Sequence, residues 1–257
     1  LSSTFPEVPG MIFHNYILSS NKSGDNSYIY GAPYSLDRFG TGTLPINHSN
    51  FVVKGSLPDP EFQMAFEFYT ILLQNNISVN GEAKAVRQLE IEPVDISKMT
   101  LIYENNGASL IDIITETNML SINLFAEHML TLIGLEKSNL GSTENGIIIM
   151  ENFWKTKINT DGLHINDGSG LSRTNAISAQ HYISMLEYMS KSKYAGEYKK
   201  SLPIAGVSGT LKSVCRGQSA QNRMHAKSGT MSRIKSYAGY IDGKSGKKYA
   251  FALITNN

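Results

Sequence analysis

The sequence feature that most limits the possible folds is a pair of strand-like segments near the C-terminal end, preceded by a short polar motif. Residues 237–241 form an alternating segment with Tyr237, Gly239 and Ile241 in register, and the apolar residues 249–254 follow a turn-forming run at 242–246. Two such segments around a Gly-containing turn predict an antiparallel hairpin. Residues 227–230, Lys-Ser-Gly-Thr, stand just ahead of it. We therefore expect a cation and two hydroxyls at the edge of a sheet, where fixed positive charge can stabilise a carboxylate or an oxyanion.

Composition excludes several classes of protein. The chain has 257 residues, of which 41% are hydrophobic, which is enough for a substantial core in one large domain or in two. A net charge of +1 provides no basic field, so we expect no nucleic-acid partner. No apolar run approaches the ~20 residues of a transmembrane segment, and no signal peptide is visible. Cys215 is the single cysteine, which excludes an internal disulfide.

Metal and cofactor sites are not indicated. The six histidines form no i, i+4 pair and no ligand cluster, and the single cysteine has no ligand spacing around it. We therefore expect no metal and no cofactor.

The first part of the chain is rich in Ser, Asn, Gly and aromatic residues, and it predicts β-structure with long loops. A helix should begin at Pro60, capped by Asp59, and run to about residue 75. Residues 82–100 are interpreted as a crossover. Short strands are predicted at four places: 11–13, 28–30, 51–53 and 99–104.

The second part of the chain shows helical spacing of apolar residues. Ser109 and Ser178 are predicted N-caps, and Gly134 is predicted to end the helix over 122–133. Ser121-Ile122-Asn123 lies at the junction of the first two helices, where side chains can face a cleft. Trp154 sits at core-facing spacing and is interpreted as packing. The predicted helices are 110–117, 122–133, 143–157, 178–190 and a short one near 211–215.

Two tripeptides and one loop carry a family resemblance. They are Ser121-Ile122-Asn123, then the loop from Asp167 to Arg173 with Asn175 after it, then Lys227-Ser228-Gly229. In this order they resemble the D-alanyl-D-alanine carboxypeptidase/endopeptidase family of low-molecular-mass penicillin-binding proteins, the class C branch with a long insertion. Further similar segments are 124–127, 133–134, 202–206, 226–230 and 237–240.

The likeness covers residues 99–257 strongly and residues 1–98 loosely. It implies an α/β (α+β) fold of the penicillin-binding-protein and serine β-lactamase type, with an antiparallel sheet flanked by helices. Residues 99–257 would form a transpeptidase-like catalytic domain that is incomplete at both ends. Residues 1–98 would form a β-rich inserted domain with one helix.

The resemblance also implies an activity. It is acyl transfer at a serine, with release of the terminal D-alanine from a peptidoglycan stem peptide ending in D-Ala-D-Ala. β-Lactams would be covalent inhibitors of the full-length protein, and the location would be periplasmic or otherwise extracytoplasmic.

The same resemblance implies roles for six residues. Ser121 would pass a proton to the leaving amine, Asn123 would bond a substrate carbonyl, and Lys227 would keep the cleft positive. The substrate would be bound by three neighbouring positions: the hydroxyl of Ser228 on its carboxylate, the backbone of Gly229 beside it, and the N–H of Thr230 in the oxyanion hole.

Ser121, Asn123 and the loop also have structural interpretations. Ser121 can be a helix N-cap, and Asn123 can be a buried turn amide. The loop that contains Asp167, Ser169 and Arg173 is interpreted mainly as support for its surroundings. The sequence leaves both interpretations of Ser121 and Asn123 open.

The nucleophile is missing from the pattern. Ser-x-x-Lys occurs four times, starting at Ser19, Ser190, Ser232 and Ser245. Ser19 is placed in a loop with no helix after it, and the other three come after Ser121, in the wrong order. We expect the catalytic serine and its lysine upstream of Leu1 and a covering helix downstream of Asn257, so the chain alone should neither hydrolyse peptide nor bind penicillin covalently.

Two other functions remain open at this point. The first is a non-catalytic peptidoglycan-peptide-binding protein that keeps the cleft without a nucleophile. The second is a β-lactamase-like hydrolase, which the long β-rich segment ahead of Ser121 disfavours. The balance of carboxypeptidase, endopeptidase and transpeptidase activity does not follow from the sequence.

Overall fold

The computed structural model describes residues 3–48, 50–89 and 96–256, and the chain forms two compact units, residues 1–102 and 103–257. Within these described ranges, no helix is long and apolar enough to cross a membrane. The assignment of the first part as an inserted domain stays a prediction.

The described part of the first unit contains a three-stranded mixed sheet and one long helix. In the sheet order β1-β3-β2, β1 runs parallel to β3 and β2 runs antiparallel to it. The predicted strands at 11–13 and 28–30 are confirmed as parts of longer strands. The elements are β1 Ile12–Ser20, β2 Asn26–Tyr30, β3 Asp37–Pro45 and α1 Pro60–Gln74, with short 3₁₀ turns at Val86–Gln88 and Ile96–Lys98.

The central strand of this sheet, β3, was not predicted, because two glycines interrupt its alternation of apolar and polar residues. A Cβ at Gly40 would lie 2.6 Å from the Phe13 ring, so glycine there lets the side chains of β1 approach closely. The predicted strand at 51–53 is wrong: these residues are irregular, and the Val52 side chain is 81% exposed. A short apolar run does not form a strand without a partner to pair with.

Local signals at α1 were sufficient to place it. The carboxylate of Asp59 accepts a hydrogen bond from the Phe62 N–H at 3.1 Å, and Pro60 occupies the first helical position, as predicted. Asp59 is also paired with the guanidinium of Arg87.

In its described residues, the second unit has five α-helices followed by a three-stranded antiparallel sheet in the order β4-β5-β6. Its helices are α2 Leu110–Leu120, α3 Asn123–Ser138, α4 Thr143–Lys155, α5 Ala179–Ser190 and α6 Ala195–Ser201, with a 3₁₀ turn at Gly209–Leu211. Its strands are β4 Met224–Met231, β5 Ile234–Asp242 and β6 Lys248–Asn256.

The predicted N-caps are confirmed, but the predicted helix end at Gly134 is wrong. Ser109 accepts from the Asp112 N–H and Ser178 accepts from the His181 N–H. Gly134 lies inside α3, which continues to Ser138. A Cβ on Gly134 would lie 2.9 Å from the Leu140 carbonyl oxygen, so the glycine serves close packing of the chain that leads into α4.

Two further predictions need correction, and one helix was missed. No strand forms at 99–104: the described chain is irregular there, and Ile102 is 96% exposed. The helix predicted near 211–215 is only the 3₁₀ turn at Gly209–Leu211, since Cys215 has a φ of 54° that a right-handed helix does not accept. The short helix α6 was not predicted at all.

Both faces of the second sheet are packed. One face carries a cluster of Met224 and Ala226 on β4 with Ala205 and Leu211. The other face packs Tyr240 on β5 against Leu186 of α5 and Leu202, and the Tyr240 hydroxyl donates to the Leu186 carbonyl at 2.8 Å. The residues 227–231 therefore lie on an edge strand whose start is anchored in a core.

Candidate active site

Ser121 forms the sharp turn between α2 and α3. It is the C-cap of α2 and has φ 58° and ψ 52°, a left-handed conformation that residues other than glycine seldom adopt. It is not the N-cap of α3, because Ile122 holds that position without a side-chain hydrogen bond. The interpretation of Ser121 as a helix N-cap is therefore wrong, and its hydroxyl is available for another contact.

That contact is with Lys227. The Lys227 ammonium donates to the Ser121 Oγ at 2.8 Å and to the Ser228 carbonyl oxygen at 2.8 Å, which joins residues 106 positions apart in the chain. Lys227 lies in β4, an edge strand ahead of the hairpin of β5 and β6, and this confirms its predicted position at the edge of a sheet. Strained backbone at one partner and a cation at the other are typical of a functional site.

The two hydrogen-bond partners of Lys227, the Ser121 hydroxyl and the Ser228 carbonyl, carry no charge. Among the residues that the structure describes, no carboxylate forms an ion pair with its ammonium. Burial lowers the pKa of Lys227 below its ordinary value, because desolvation disfavours the charged form. A half-buried cation without an acidic partner can receive an anion from outside.

The free edge of β4 is only partly covered. Residues 203–205 pair with its start: a carbonyl there accepts from the Ala226 N–H at 3.0 Å, and an N–H donates to the Met224 carbonyl at 2.9 Å. Backbone groups of an antiparallel strand point alternately to its two sides. Ser228 and Thr230 therefore direct their backbone N–H and C=O groups away from β5, toward the uncovered part of the edge.

Thr210 belongs to the same region and was missed in the sequence. The Ser228 hydroxyl donates to the Thr210 Oγ1 at 2.8 Å. The preceding residue, Gly209, has a φ of 54°, and a Cβ there would lie 2.8 Å from the Met119 carbonyl oxygen at the end of α2. A glycine next to hydroxyl residues in a loop is a weak signal, because many turns share that composition.

The loop that contains Asp167 is held by its own hydrogen bonds. Its carboxylate accepts from the Gly170 N–H at 2.9 Å, from the Ser172 N–H at 2.7 Å, from the Ser169 hydroxyl at 3.2 Å and from the Asn175 amide at 2.8 Å. Burial would raise the pKa of Asp167, but these four bonds outweigh it and lower the pKa.

A second carboxylate, which the sequence did not reveal, attaches this loop to α3. The Glu127 oxygens accept from the Gly168 N–H and the Ser169 N–H, each at 3.0 Å. A Cβ at Gly168 would lie 2.5 Å from the Ala126 carbonyl oxygen, so the loop lies directly on the helix. Glu127 is one turn after Asn123 on α3, which places the loop beside the start of that helix.

The remaining site residues predicted from the sequence are not joined to Ser121 and Lys227 by hydrogen bonds among the described residues. Asn123 is the first residue of α3 and is exposed, so it is not a buried turn amide, and among the described residues its side chain makes no hydrogen bond to Ser121 or Lys227. Gly229 faces Ser236 of β5, where a Cβ would lie 2.6 Å from the Oγ. Arg173 is exposed. The structure thus joins Ser121, Lys227, Ser228 and Thr210 directly.

Comparison with known proteins shows the family to which the chain belongs. Residues 17–257 match the D-Ala-D-Ala carboxypeptidase 3 (S13) family. The D-alanyl-D-alanine carboxypeptidase of Actinomadura sp. (strain R39) is 30% identical over 222 residues, which are 84% of this chain and 40% of the relative. Carboxypeptidase DacB of Mycolicibacterium smegmatis is 29% identical over 196 residues, 69% of this chain and 41% of the relative. The chain therefore spans about two fifths of the length of these curated relatives.

Solved structures show the same fold. Penicillin binding protein 4 (dacB) from Haemophilus influenzae superposes with a TM-score of 0.79 at 20% identity, covering 97% of this chain and 56% of that one. The same protein complexed with a β-lactam gives a TM-score of 0.76 at 21% identity, covering 97% and 57%. The predicted fold class, a penicillin-binding-protein-like α/β fold, is confirmed.

Proposed function

Because the chain belongs to the D-Ala-D-Ala carboxypeptidase 3 (S13) family, we propose that it supplies most of the active site of a serine-type D-alanyl-D-alanine carboxypeptidase. The substrate is a peptidoglycan stem peptide ending in D-Ala-D-Ala, and endopeptidase cleavage of related cross-links uses the same site. The observation that carries the proposal is the 2.8 Å contact between the Lys227 ammonium and the Ser121 hydroxyl, beside an open strand edge.

The reaction is acyl transfer to a serine oxygen. That oxygen bonds to the carbonyl carbon of the penultimate D-alanine, the amide C–N bond breaks, and the terminal D-alanine leaves as an amine that has gained a proton. Water then cleaves the ester and regenerates the serine. Ser121 delivers the proton to the leaving nitrogen, since its hydroxyl can pass one proton on while it is held by Lys227.

The strand edge positions the peptide. The outward backbone groups of Ser228 and Thr230 pair with the substrate as an added strand would, and the Thr230 N–H supplies one donor to the oxyanion. Gly229 keeps this part of β4 free of side-chain bulk, and the exposed amide of Asn123 bonds the carbonyl of the acyl part. Lys227 attracts the terminal carboxylate and lowers the basicity of a neighbouring lysine.

The nucleophile lies outside residues 1–257 in this proposal. The four Ser-x-x-Lys sequences begin at the end of β1, at the end of α5, and in the turns after β4 and β5, so none of them opens a helix. Ser19 lies in β1 rather than in the loop that the sequence suggested. A base lysine needs burial near its serine to lower its pKa, and a strand end or a turn does not provide it.

β-Lactams are the expected covalent inhibitors, because their strained amide presents a similar carbonyl to the same nucleophile. The location is extracytoplasmic, where peptidoglycan is found. Within this proposal, the enzyme is located in the periplasm.

Labelling with a fluorescent penicillin tests the proposal. The full-length protein should form a stable adduct and release D-alanine from a D-Ala-D-Ala peptide, whereas residues 1–257 expressed alone should do neither. Peptide binding by the full-length protein without any adduct or product would favour the alternative, a non-catalytic peptidoglycan-peptide-binding protein. A labelled fragment 1–257 would show that the nucleophile lies within this chain.

A further inference from the structure

We propose that Thr210 is a specificity-determining residue, whose hydroxyl donates a hydrogen bond to the terminal carboxylate of the bound peptide. The inference rests on the proposed function and assigns to Thr210 a role that the sequence suggested for Ser228. Three observations support it: the position of Thr210, the direction of its hydrogen bond and the charge beside it.

The position of Thr210 is defined by contacts on both sides. Its hydroxyl touches that of Ser228, which follows Lys227 in β4, and Lys227 contacts Ser121. On the other side, the backbone of Gly209 lies against the Met119 carbonyl, two residues before Ser121. Thr210 is therefore held at the site by the strand and by the end of α2 together.

The direction of the hydrogen bond decides which hydroxyl can bind a carboxylate. Ser228 donates to Thr210 at 2.8 Å, and a hydroxyl has one proton, so this contact uses the proton of Ser228. Thr210 accepts there and keeps its own proton. Its side chain is exposed, and no acceptor among the described residues takes that proton. A hydroxyl that accepts one hydrogen bond is also a stronger donor of the next.

The charge next to this donor identifies the chemical class of the ligand. The Lys227 ammonium has no carboxylate partner in the described part of the chain, and Ser228 joins it to Thr210. A free O–H donor beside an unpaired cation suits an anion with oxygen acceptors. The carboxylate of the terminal D-alanine is that anion in the proposed substrate.

The proposal predicts a kinetic pattern. The terminal carboxylate is not altered when the D-alanine amide breaks, so a bond to it holds the ground state and the transition state alike. Loss of such a bond raises KM and leaves kcat almost unchanged. Hydrogen bonds to charged groups are worth enough to shift KM by about tenfold or more.

The test uses the full-length protein with a peptide ending in D-Ala-D-Ala and the same peptide with its C-terminus amidated. Thr210→Val removes the hydroxyl at nearly constant shape. We expect KM for the free carboxylate to rise by about tenfold or more, with little change for the amide. Thr210→Ser should restore the wild-type preference. Thr156→Val, an exposed threonine after α4, is the matched control and should change nothing.

Equilibrium binding of both peptides is measured in parallel, because it does not require turnover. Equal losses for the two peptides in Thr210→Val, or no loss for the free carboxylate, would overturn the assignment, since Thr210 would then act only through Ser228 or not at all. A wild-type protein that binds the free carboxylate preferentially but releases no D-alanine would refute the proposed function and leave the role of Thr210 intact. Absence of binding by the wild type would refute both.

Discussion

Two cations, one in each unit, show how differently a buried positive charge can be used. The Arg38 side chain of the first unit is 2% exposed and donates to four backbone carbonyls, those of Ala32, Ser35, Asp37 and Ser56, at 2.8–3.4 Å. Lys227 of the second unit has one hydroxyl and one carbonyl as partners. A guanidinium held by four backbone carbonyls is structural, whereas a half-buried ammonium with capacity left over can bind a ligand.

The cores of the two units also differ in the polarity of their buried side chains. Several of the buried side chains of the first unit are polar, among them Arg38, Asp59 and Gln63. Those of the second unit are mostly apolar, and Leu202, Ala205 and Leu211 are almost completely buried there. In the second unit, apolar packing supports the candidate active site without forming hydrogen bonds to its polar groups. The edge of β4 therefore remains free to bind a ligand.

The largest effect on activity should follow removal of the Lys227 ammonium. In the full-length protein, Lys227→Ala should slow acylation by penicillin by about a thousandfold, because the charge that stabilises the carboxylate and the oxyanion is lost. The melting temperature should stay close to that of the wild type, since the ammonium packs in no core. Lys244→Ala, in the turn after β5, is the control. If Lys227→Ala were labelled by penicillin as fast as the wild type, the proposed role of Lys227 in the active site would be refuted.

Removal of the Arg38 guanidinium should lower stability instead of activity. Arg38→Met keeps the aliphatic stem but leaves buried carbonyls without donors, and we expect a loss of about 3 kcal/mol in unfolding free energy. Hydrogen exchange should accelerate in residues 3–89 and remain unchanged in the second unit. Lys54→Met changes an exposed cation in the same unit and should have little effect. If Arg38→Met slowed acylation without changing exchange, the contrast between the two cations would fail.

A smaller effect is expected at the hydroxyl partner of Lys227. Ser121→Ala and Ser121→Gly both remove the proton donor and should lower kcat by about a hundredfold. Glycine accepts the left-handed conformation at this position, so Ser121→Gly should also stabilise the protein by about 1 kcal/mol relative to Ser121→Ala. Thermal unfolding and steady-state kinetics measure the two effects separately. An unchanged kcat in both variants would reduce Ser121 to a turn residue.

The smallest effect concerns pH. Burial lowers the pKa of Lys227, so its ammonium loses the proton at a lower pH than an ordinary lysine, whose pKa is about 10.4. Acylation should be fastest where Lys227 is protonated and should slow as the pH rises through the lowered pKa. In Lys227→Arg the charge persists, and the alkaline decline should move upward. Acylation rates from pH 7 upward in the two proteins decide this, and superimposable profiles would contradict it.

What was predictable from the sequence was mainly local. The caps Asp59, Ser109 and Ser178 depend on residues three positions away, and all three were predicted correctly. Gly134 was interpreted as a helix end because the segment that packs against it, near Leu140, is not visible in a local pattern.

The site was predictable only through the family resemblance. Nothing in the spacing of residues indicates that Ser121 meets Lys227, 106 positions later. Thr210 and Glu127 were missed for the same reason: their partners, Ser228 and the N–H groups of Gly168 and Ser169, come from distant parts of the chain. On its own, an acid on a helix predicts a solvated face.

The cover that residues 203–205 provide for β4 has a consequence for solubility. An unpaired strand edge is a template on which copies of a protein can associate into a continuous sheet, and long flat edges carry the greatest risk. Here the strand is paired at Met224 and Ala226 and turns back after Met231, so only Ser228 and Thr230 present outward backbone groups. An edge of that length accommodates a short guest and gives a second copy of the chain too few hydrogen bonds to nucleate aggregation.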